Sequence, residues 1–266
     1  MMTARRVHAS ASVQIRDVRC RAPRGESSGE ESSTGACLVL PLCGAFEWQV
    51  GRRKALLDCN AAALFSTDSR VISHPFDGGD RCVALQFADD LVFAAFGSER
   101  VTPRYWILDG ATQRHVHSLL HKILPANDNV LLEETAIELL DLFATHPQTP
   151  AATSRHDDVV ELVRAYINER LTESDNLKSI GAAVGYSAFH LARVFRSRTG
   201  TTIHQYRHAA RLAWAHERLH DGDEPIADIA VDLGFYDHSH LAATFARQYG
   251  ATPSSIRHRC DLKAPA

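Results

Sequence analysis

The sequence predicts an α+β protein: an N-terminal β-barrel with flanking helices, then an all-α half carrying two helix-turn-helix units. Three observations predict it. Short apolar or alternating segments crowd residues 36 to 96. Helical periodicity takes over beyond residue 97. One helical-hairpin pattern then occurs twice, about fifty residues apart, between Leu177 and Tyr249.

The 266 residues suffice for two ordinary domains, and 45% hydrophobic content supports a core. No run approaches the ~20 apolar residues of a membrane span. Met1 to Arg24 lacks the apolar stretch of a secretory signal, so a cytoplasmic chain is expected. Cys20, Cys37, Cys43, Cys59, Cys82 and Cys260 show no metal-binding spacing. Reduced, mostly buried thiols are expected of them.

Taken in order, residues 1 to 34 look weakly structured, with Gly25 to Gly35 a solvated Gly/Ser/Glu loop. Cys37–Leu40, Phe46–Val50, Ala55–Leu57, Ala63–Phe65, Val71–Ser73 and Val83–Phe87 read as short strands. Their close spacing suggests a sandwich or small barrel. His74 stands alone beside a turn and reads as a structural hydrogen-bonding residue. Neither a metal site nor a cofactor is expected.

Thr112 to Leu124 and Asn129 to Phe143 read as helices, the second with an apolar stripe that must be covered. His117 and His121 share a helix face four residues apart; without an accompanying acid they read as solvated. His146 to Ser154 has two prolines, small polar residues and no large apolar side chain. The expected organisation is therefore residues 1–146, a linker at 147–156, and a helical domain at 157–260.

In the second helical hairpin, Ile226, Ile229, Ala230 and Leu233 line one helix face. Pro225 suits a first turn, and Gly234 supplies the positive φ of a sharp stop. Asp237 or Ser239 can cap the next helix, which carries Leu241, Phe245 and Tyr249 inward. The first copy, Leu177 to Gly200, has the same layout. The two motifs are placed near 177–198 and 226–249. The second helix of such a unit can enter a DNA major groove.

Net charge is −3, yet Arg193, Arg196, Arg198, Arg207, Arg211 and Arg218 face only Glu217 between Tyr186 and Arg218. On the first recognition helix, Arg193 is the expected base reader, because arginine pairs bidentately with guanine. Phe189 can meet thymine methyls, and His190 bases or phosphate; Ser187 opens the helix. Arg196, Arg198 and Arg207 are expected on phosphates. The second helix offers His238, Ser239 and Ala242, whose short reach predicts the weaker reader.

The signature I-A-D-I-A-x-D-x-G-F-x-D-x-S-H followed by F-x-x-x-x-G-x-x-P-x-x-x-R resembles the AraC/XylS family of transcription regulators, over roughly residues 155 to 260. G-A-F-E-W-Q-V-G-R-R and S-H-P-F-D-G-G-D-R-C are similar to the cupin-like N-terminal half of many such regulators. The resemblance implies a non-enzymatic regulator with double-stranded DNA as partner, a small-molecule effector at the barrel, RNA polymerase where it activates, and a homodimer formed through the helix at Asn129 to Phe143. Two alternatives stay open: a redox or soft-metal sensor using the barrel cysteines, and a cupin enzyme fused to a DNA-binding anchor. No H-x-H pair and no nucleophile elbow lies in the predicted strands, and the chain has no phosphate loop, which weighs against the latter.

Overall fold

The computed structural model describes residues 2–28, 31–51, 53–66, 70–98, 101–149, 155–221 and 224–261. An antiparallel β domain precedes a helical one. The strands are β1 (Met2–Ala9), β2 (Val13–Cys20), β3 (Ala36–Val50), β4 (Arg53–Asp58), β5 (Ala61–Phe65), β6 (Val71–Ser73), β7 (Asp80–Phe87) and β8 (Arg104–Ile107). Helices α1 (Asp89–Phe96), α2 (Gly110–Ile123) and α3 (Asn129–Thr145) flank them. The helical domain holds α4 (Arg155–Glu169), α5 (Leu177–Val184), α6 (Ala188–Thr199), α7 (Ile203–Asp221), α8 (Ile226–Asp232), α9 (His238–Tyr249) and α10 (Pro253–Asp261).

The sheet runs β1-β2-β7-β3-β5-β8, with β4 and β6 also paired to β3. Strand β3 makes this possible by its length. Its first part, to Gly44, pairs with β7 and β5, its second, from Ala45, with β4 and β6, and a bulge between Pro41 and Cys43 lies within the β7 pairing. One face of the sheet packs Phe46, Trp48, Leu57 and Phe65 together. The other packs Leu38, Leu64, Leu85 and Trp106 against α2 and α3.

Three expectations for this half are corrected. Residues 2–20 are not weakly structured: they form β1 and β2, paired antiparallel. Val13 and Ile15 alternate inward, but the next inward position is Asp17, and that charge hides the pattern. Residues 89–96, within the stretch read as β, form α1, and β8 lies in the stretch read as helical. His117 and His121 do not form a solvated face. His117 is buried with Nε2 3.1 Å from the Cys59 carbonyl, and His121 stacks on His216 at 3.9 Å. The stripe on α3 (Leu132, Ala136, Leu139, Leu140 and Phe143) is covered by the sheet side of its own chain. Of the expected linker, residues 150–154 lie outside the described residues. Before them, Thr149 is tied to β8: its N–H donates to the Tyr105 carbonyl (3.0 Å), and its hydroxyl accepts from the Ile107 N–H (2.7 Å).

The two halves meet along a polar seam. Arg164 of α4, with no exposed surface, donates to the Tyr206 hydroxyl (2.5 Å) and the Leu56 carbonyl (2.9 Å). It also lies 3.4 Å from the Asp58 carboxylate and bonds the Tyr105 hydroxyl. The Tyr206 hydroxyl in turn donates to Asp58 at 2.5 Å. At a second point Arg81 of β7 grips Asp17 and reaches Glu217 of α7 at 2.6 Å. At a third, α2 meets α7 and α9 through stacked His121 and His216, with Tyr249 edge-on to His121 and Gln248 bonded to Gln113 at 2.7 Å.

This third contact makes stability depend on pH. Burial holds His117 down to about 4 and His121 to about 3, and drives His216 well below its ordinary value. Neighbouring His220 and Arg81 act on His121 in the same direction. An unfolded histidine takes up its proton near pH 6.5. Between about pH 6.5 and 4 the unfolded chain therefore binds more protons, and stability falls on acidification. Thermal melting should show Tm falling as pH drops from about 7.5 to about 5. The double variant His121→Phe, His216→Phe should decline less steeply; an unchanged slope would assign the effect to other groups.

Candidate nucleic-acid interface

The two helix-turn-helix units form where expected. Asn176 caps α5 by accepting from the N–H groups of Lys178 and Ser179. Ser187 caps α6 by accepting from His190 N–H, and Asp237 caps α9 by accepting from His240 N–H. Between the helices of each pair, Gly185 (φ 79°) and Gly234 (φ 73°) make the turn in the left-handed region that other residues avoid. Ile180, Leu191, Val194 and Phe195 anchor the first unit beneath α4 and Tyr206. Ile229, Leu233, Phe235, Leu241 and Phe245 anchor the second against α7.

Helix α7 joins the units, and Arg211 fixes them to it. Its Nε donates to the Leu171 carbonyl (2.8 Å) and Nη2 to that of Glu173 (2.7 Å), both at the end of the first unit's support helix. Its Nη1 donates to the Gly234 carbonyl in the second unit's turn (2.8 Å). One buried guanidinium thus spans both units. Arg207, expected on phosphate, is also drawn inward. It is buried, and its Nη1 donates to the carbonyls of Glu173 and Asp175. The reason is positional: Arg207 and Arg211 lie one turn apart on the face of α7 that meets the loop after α4.

On α6 the outward residues come together as expected. Phe189 is 79% exposed, and Ala192, Arg193 and Arg196 are exposed on the same face at three- and four-residue spacing. His190 is half-buried with its ring stacked on Tyr186 (5.2 Å), which leaves it beside the face rather than on it. Arg198 is exposed but lines a 750 Å³ cleft with Trp48, Tyr105 and Glu161 between the two halves. On α9, His238 and Ser239 are exposed and Ala242 is half-buried. The C-terminal end of α9 is the part docked on α2.

Sequence reasoning passed over Tyr236. It stands in the turn before α9, 89% exposed, the most open large apolar side chain among the described residues. The available signal was its place in the repeat, since Tyr186 occupies the matching turn of the first copy.

The cysteine alternative loses its proposed set. Cys37, Cys43, Cys59 and Cys82 are buried, and burial raises all four thiols. Cys43 and Cys59 belong to the core beneath α4, whereas Cys37 and Cys82 lie in the β domain's core. Reactive thiols require the opposite environment.

A helix-turn-helix domain family model matches residues 180–259. The regulatory protein SoxS of Escherichia coli (strain K12) is 35% identical over 104 residues, covering 39% of this chain and 97% of SoxS. The chain belongs to the AraC/XylS family of transcription regulators. The arabinose operon regulatory protein of the same organism is 28% identical over 161 residues, 58% of this chain and 55% of that protein. Among solved structures, ToxT of Vibrio cholerae O395 aligns over 96% of this chain and all of its own, at 11% identity and a TM-score of 0.39. By the helix-turn-helix family model and the likeness to SoxS, this AraC/XylS protein is a DNA-binding transcription regulator. No helix among its described residues is long and apolar enough to cross a membrane.

Arg211→Met should leave three backbone carbonyls without their donor and lower stability by about 2–3 kcal/mol. The urea midpoint measures this; a loss near zero would mean that water replaces the guanidinium and that the two units are held by α7 packing alone.

Proposed function

We propose that this regulator reads two adjacent major-groove segments, with α6 as the principal sequence reader and α9 as the weaker one. The carrying observation is the exposed Phe189–Arg193–Arg196 face of α6, set against the short side chains of α9, on units joined by one helix. Recognition helices about 34 Å apart on one side of a duplex meet successive major-groove faces. Arg193 takes a guanine edge, Phe189 packs on thymine methyls, and Arg196 holds phosphate. His190 and Ser187 support the start of α6 near the backbone. Tyr236, His238 and Ser239 contact backbone or sugar at the second segment, and Ala242 permits close approach. Arg207 leaves the contact set, and Arg198 remains on phosphate only where the duplex overlaps the end of α6.

The proposed division places an effector-binding and dimerising domain at 1–146, a linker at 147–156 and the DNA-binding domain at 157–260. The exposed Val130 and Leu131 at the start of α3 support a homodimer contact beside the buried stripe. A small-molecule effector acts by binding one arrangement of the two halves better than another. RNA polymerase is the partner where the protein activates, and the chromosome's compartment is its place of action.

On a fragment that the intact chain enriches from genomic DNA, Arg193→Ala should cost about 1–3 kcal/mol and relax preference at one base pair. Arg196→Ala should weaken specific and random DNA alike and reduce the salt slope by about one. Equal losses on specific and random DNA for Arg193→Ala would remove its base-reading role.

A further inference from the structure

His74 is alone in the sequence but not in the fold. Strands β2 and β7 pair Cys20 directly with Asp80, which puts both side chains on one face. The chain leaving β6 brings His74 between them. Its backbone is pinned by two hydrogen bonds, His74 N–H to the Glu26 carbonyl (2.9 Å) and Gly25 N–H to the His74 carbonyl (2.8 Å). One donor atom from each of Cys20, His74 and Asp80 lies within 4.8 Å of the other two. Cys20 Sγ is 3.5 Å from His74 Nε2, and Asp80 Oδ2 is 3.1 Å from His74 Nδ1.

The second pair is the informative one. His74 and Asp80 are both more than nine-tenths buried. Nδ1 and Oδ2 face each other at 3.1 Å and have no other hydrogen-bond partner. A buried imidazole and carboxylate with only each other for company are costly in a closed core. In a tetrahedral metal site, ligand bonds of about 2.0–2.3 Å keep neighbouring donor atoms a little over 3 Å apart. The Nδ1–Oδ2 pair already has this spacing; the half-buried Cys20 thiol lies 3.5 Å from the ring's other nitrogen, Nε2, and joins the set once side-chain rotation brings it to the same nitrogen.

We propose that Cys20, His74 and Asp80 bind a divalent transition-metal ion of the zinc type. Thiolate, imidazole and carboxylate together suit a borderline cation, and three protein ligands leave a fourth position open. The cation would offset what now disfavours the thiolate, namely burial and the neighbouring Asp80 carboxylate, which raise the Cys20 thiol. The backbone is preorganised for this. Gly79, at φ 74°, presses on the Cys20 carbonyl so closely that a Cβ there would stand 2.2 Å from it.

The site adjoins the seam. Its neighbours in sequence, Arg19 and Arg81, both hold Glu217 of α7, at 3.1 and 2.6 Å. The loop before Asp80 lies against Trp214 of the same helix, 3.6 Å from where a Cβ of Gly78 would be. A metal that draws β2 and β7 together at Cys20 and Asp80 moves the two cations that grip the helix joining both reading units. Coupling to DNA rests on the proposed function above; the metal site does not.

The test uses the full chain stripped with chelator and titrated with Co²⁺, then with Zn²⁺ in competition. One equivalent of Co²⁺ should bind with a thiolate-to-cobalt charge-transfer band. Cys20→Ser should abolish the band and weaken Zn²⁺ by more than about tenfold, while circular dichroism and Tm stay near wild type. Cys82→Ala, which alters a buried thiol outside the site, should keep the band. No band in the wild type, or an equal band in Cys20→Ser, overturns the site. In the second arm, DNA affinity of the wild type should change by about fivefold or more between chelator and saturating Zn²⁺, and not in Cys20→Ser. Metal binding without any change in DNA affinity overturns the coupling alone.

Discussion

A guanidinium with no exposed surface must be paired, and Arg164 is such a group. Its partners come from both halves of the chain: Asp58, Leu56 and Tyr105 from the β domain, Tyr206 and Glu161 from the helical one. Around it, Asn168 donates to Asp58 at 2.9 Å, and the Asp58 carboxylate also caps the turn through Asn60 N–H at the same distance. Removing any one partner strands a buried charge or dipole. The network therefore fixes α4 and α7 on the β domain, and the reading units hang from those two helices. An apolar contact of Cys43 and Cys59 with α4 and α7 lies beside this network, and the directional polar part differs from it in one functional respect. It has few alternative arrangements of similar energy, so a ligand that alters it can act as a switch.

The interior of the helical domain follows the same logic on a smaller scale. Short helices such as α5 and α8 gain little from intrinsic propensity. Their positions come from Ile180 and Ile229 in the cores, from caps at Asn176, Ser187 and Asp237, and from Arg211 tying three carbonyls together. Buried arginines in this domain thus have structural duties, while Arg193 and Arg196 are exposed on the open face of α6, where duplex contact is proposed. Sequence alone did not separate these two classes, because Arg193, Arg207 and Arg211 look alike in a list of basic residues.

Much was legible in the chain. Glycine, cap and apolar spacing placed α9 at His238–Tyr249 and α6 within a residue of its ends. These signals are local, and local rules fix short capped helices well. The misses share a different cause. Strand β2 was hidden because Asp17 occupies an inward position, and Arg81, 64 residues away, together with Arg5 of β1 explains why a charge is tolerated there. His121 looked solvated because its partner, His216, lies on another domain's helix. Cys20, His74 and Asp80 have no spacing signature at all; a strand register and a returning loop bring them together. In each case the deciding contact is long-range and polar, the kind that periodicity cannot report.

Selection of bound fragments from a genomic pool by the intact chain, at two salt concentrations, tests the reading of two adjacent groove segments most directly. The expected result is one enriched motif with two parts about 10 base pairs apart centre to centre, the part under α6 more strongly specified. Enrichment that tracks only charge and vanishes with salt, with no two-part motif, would contradict it.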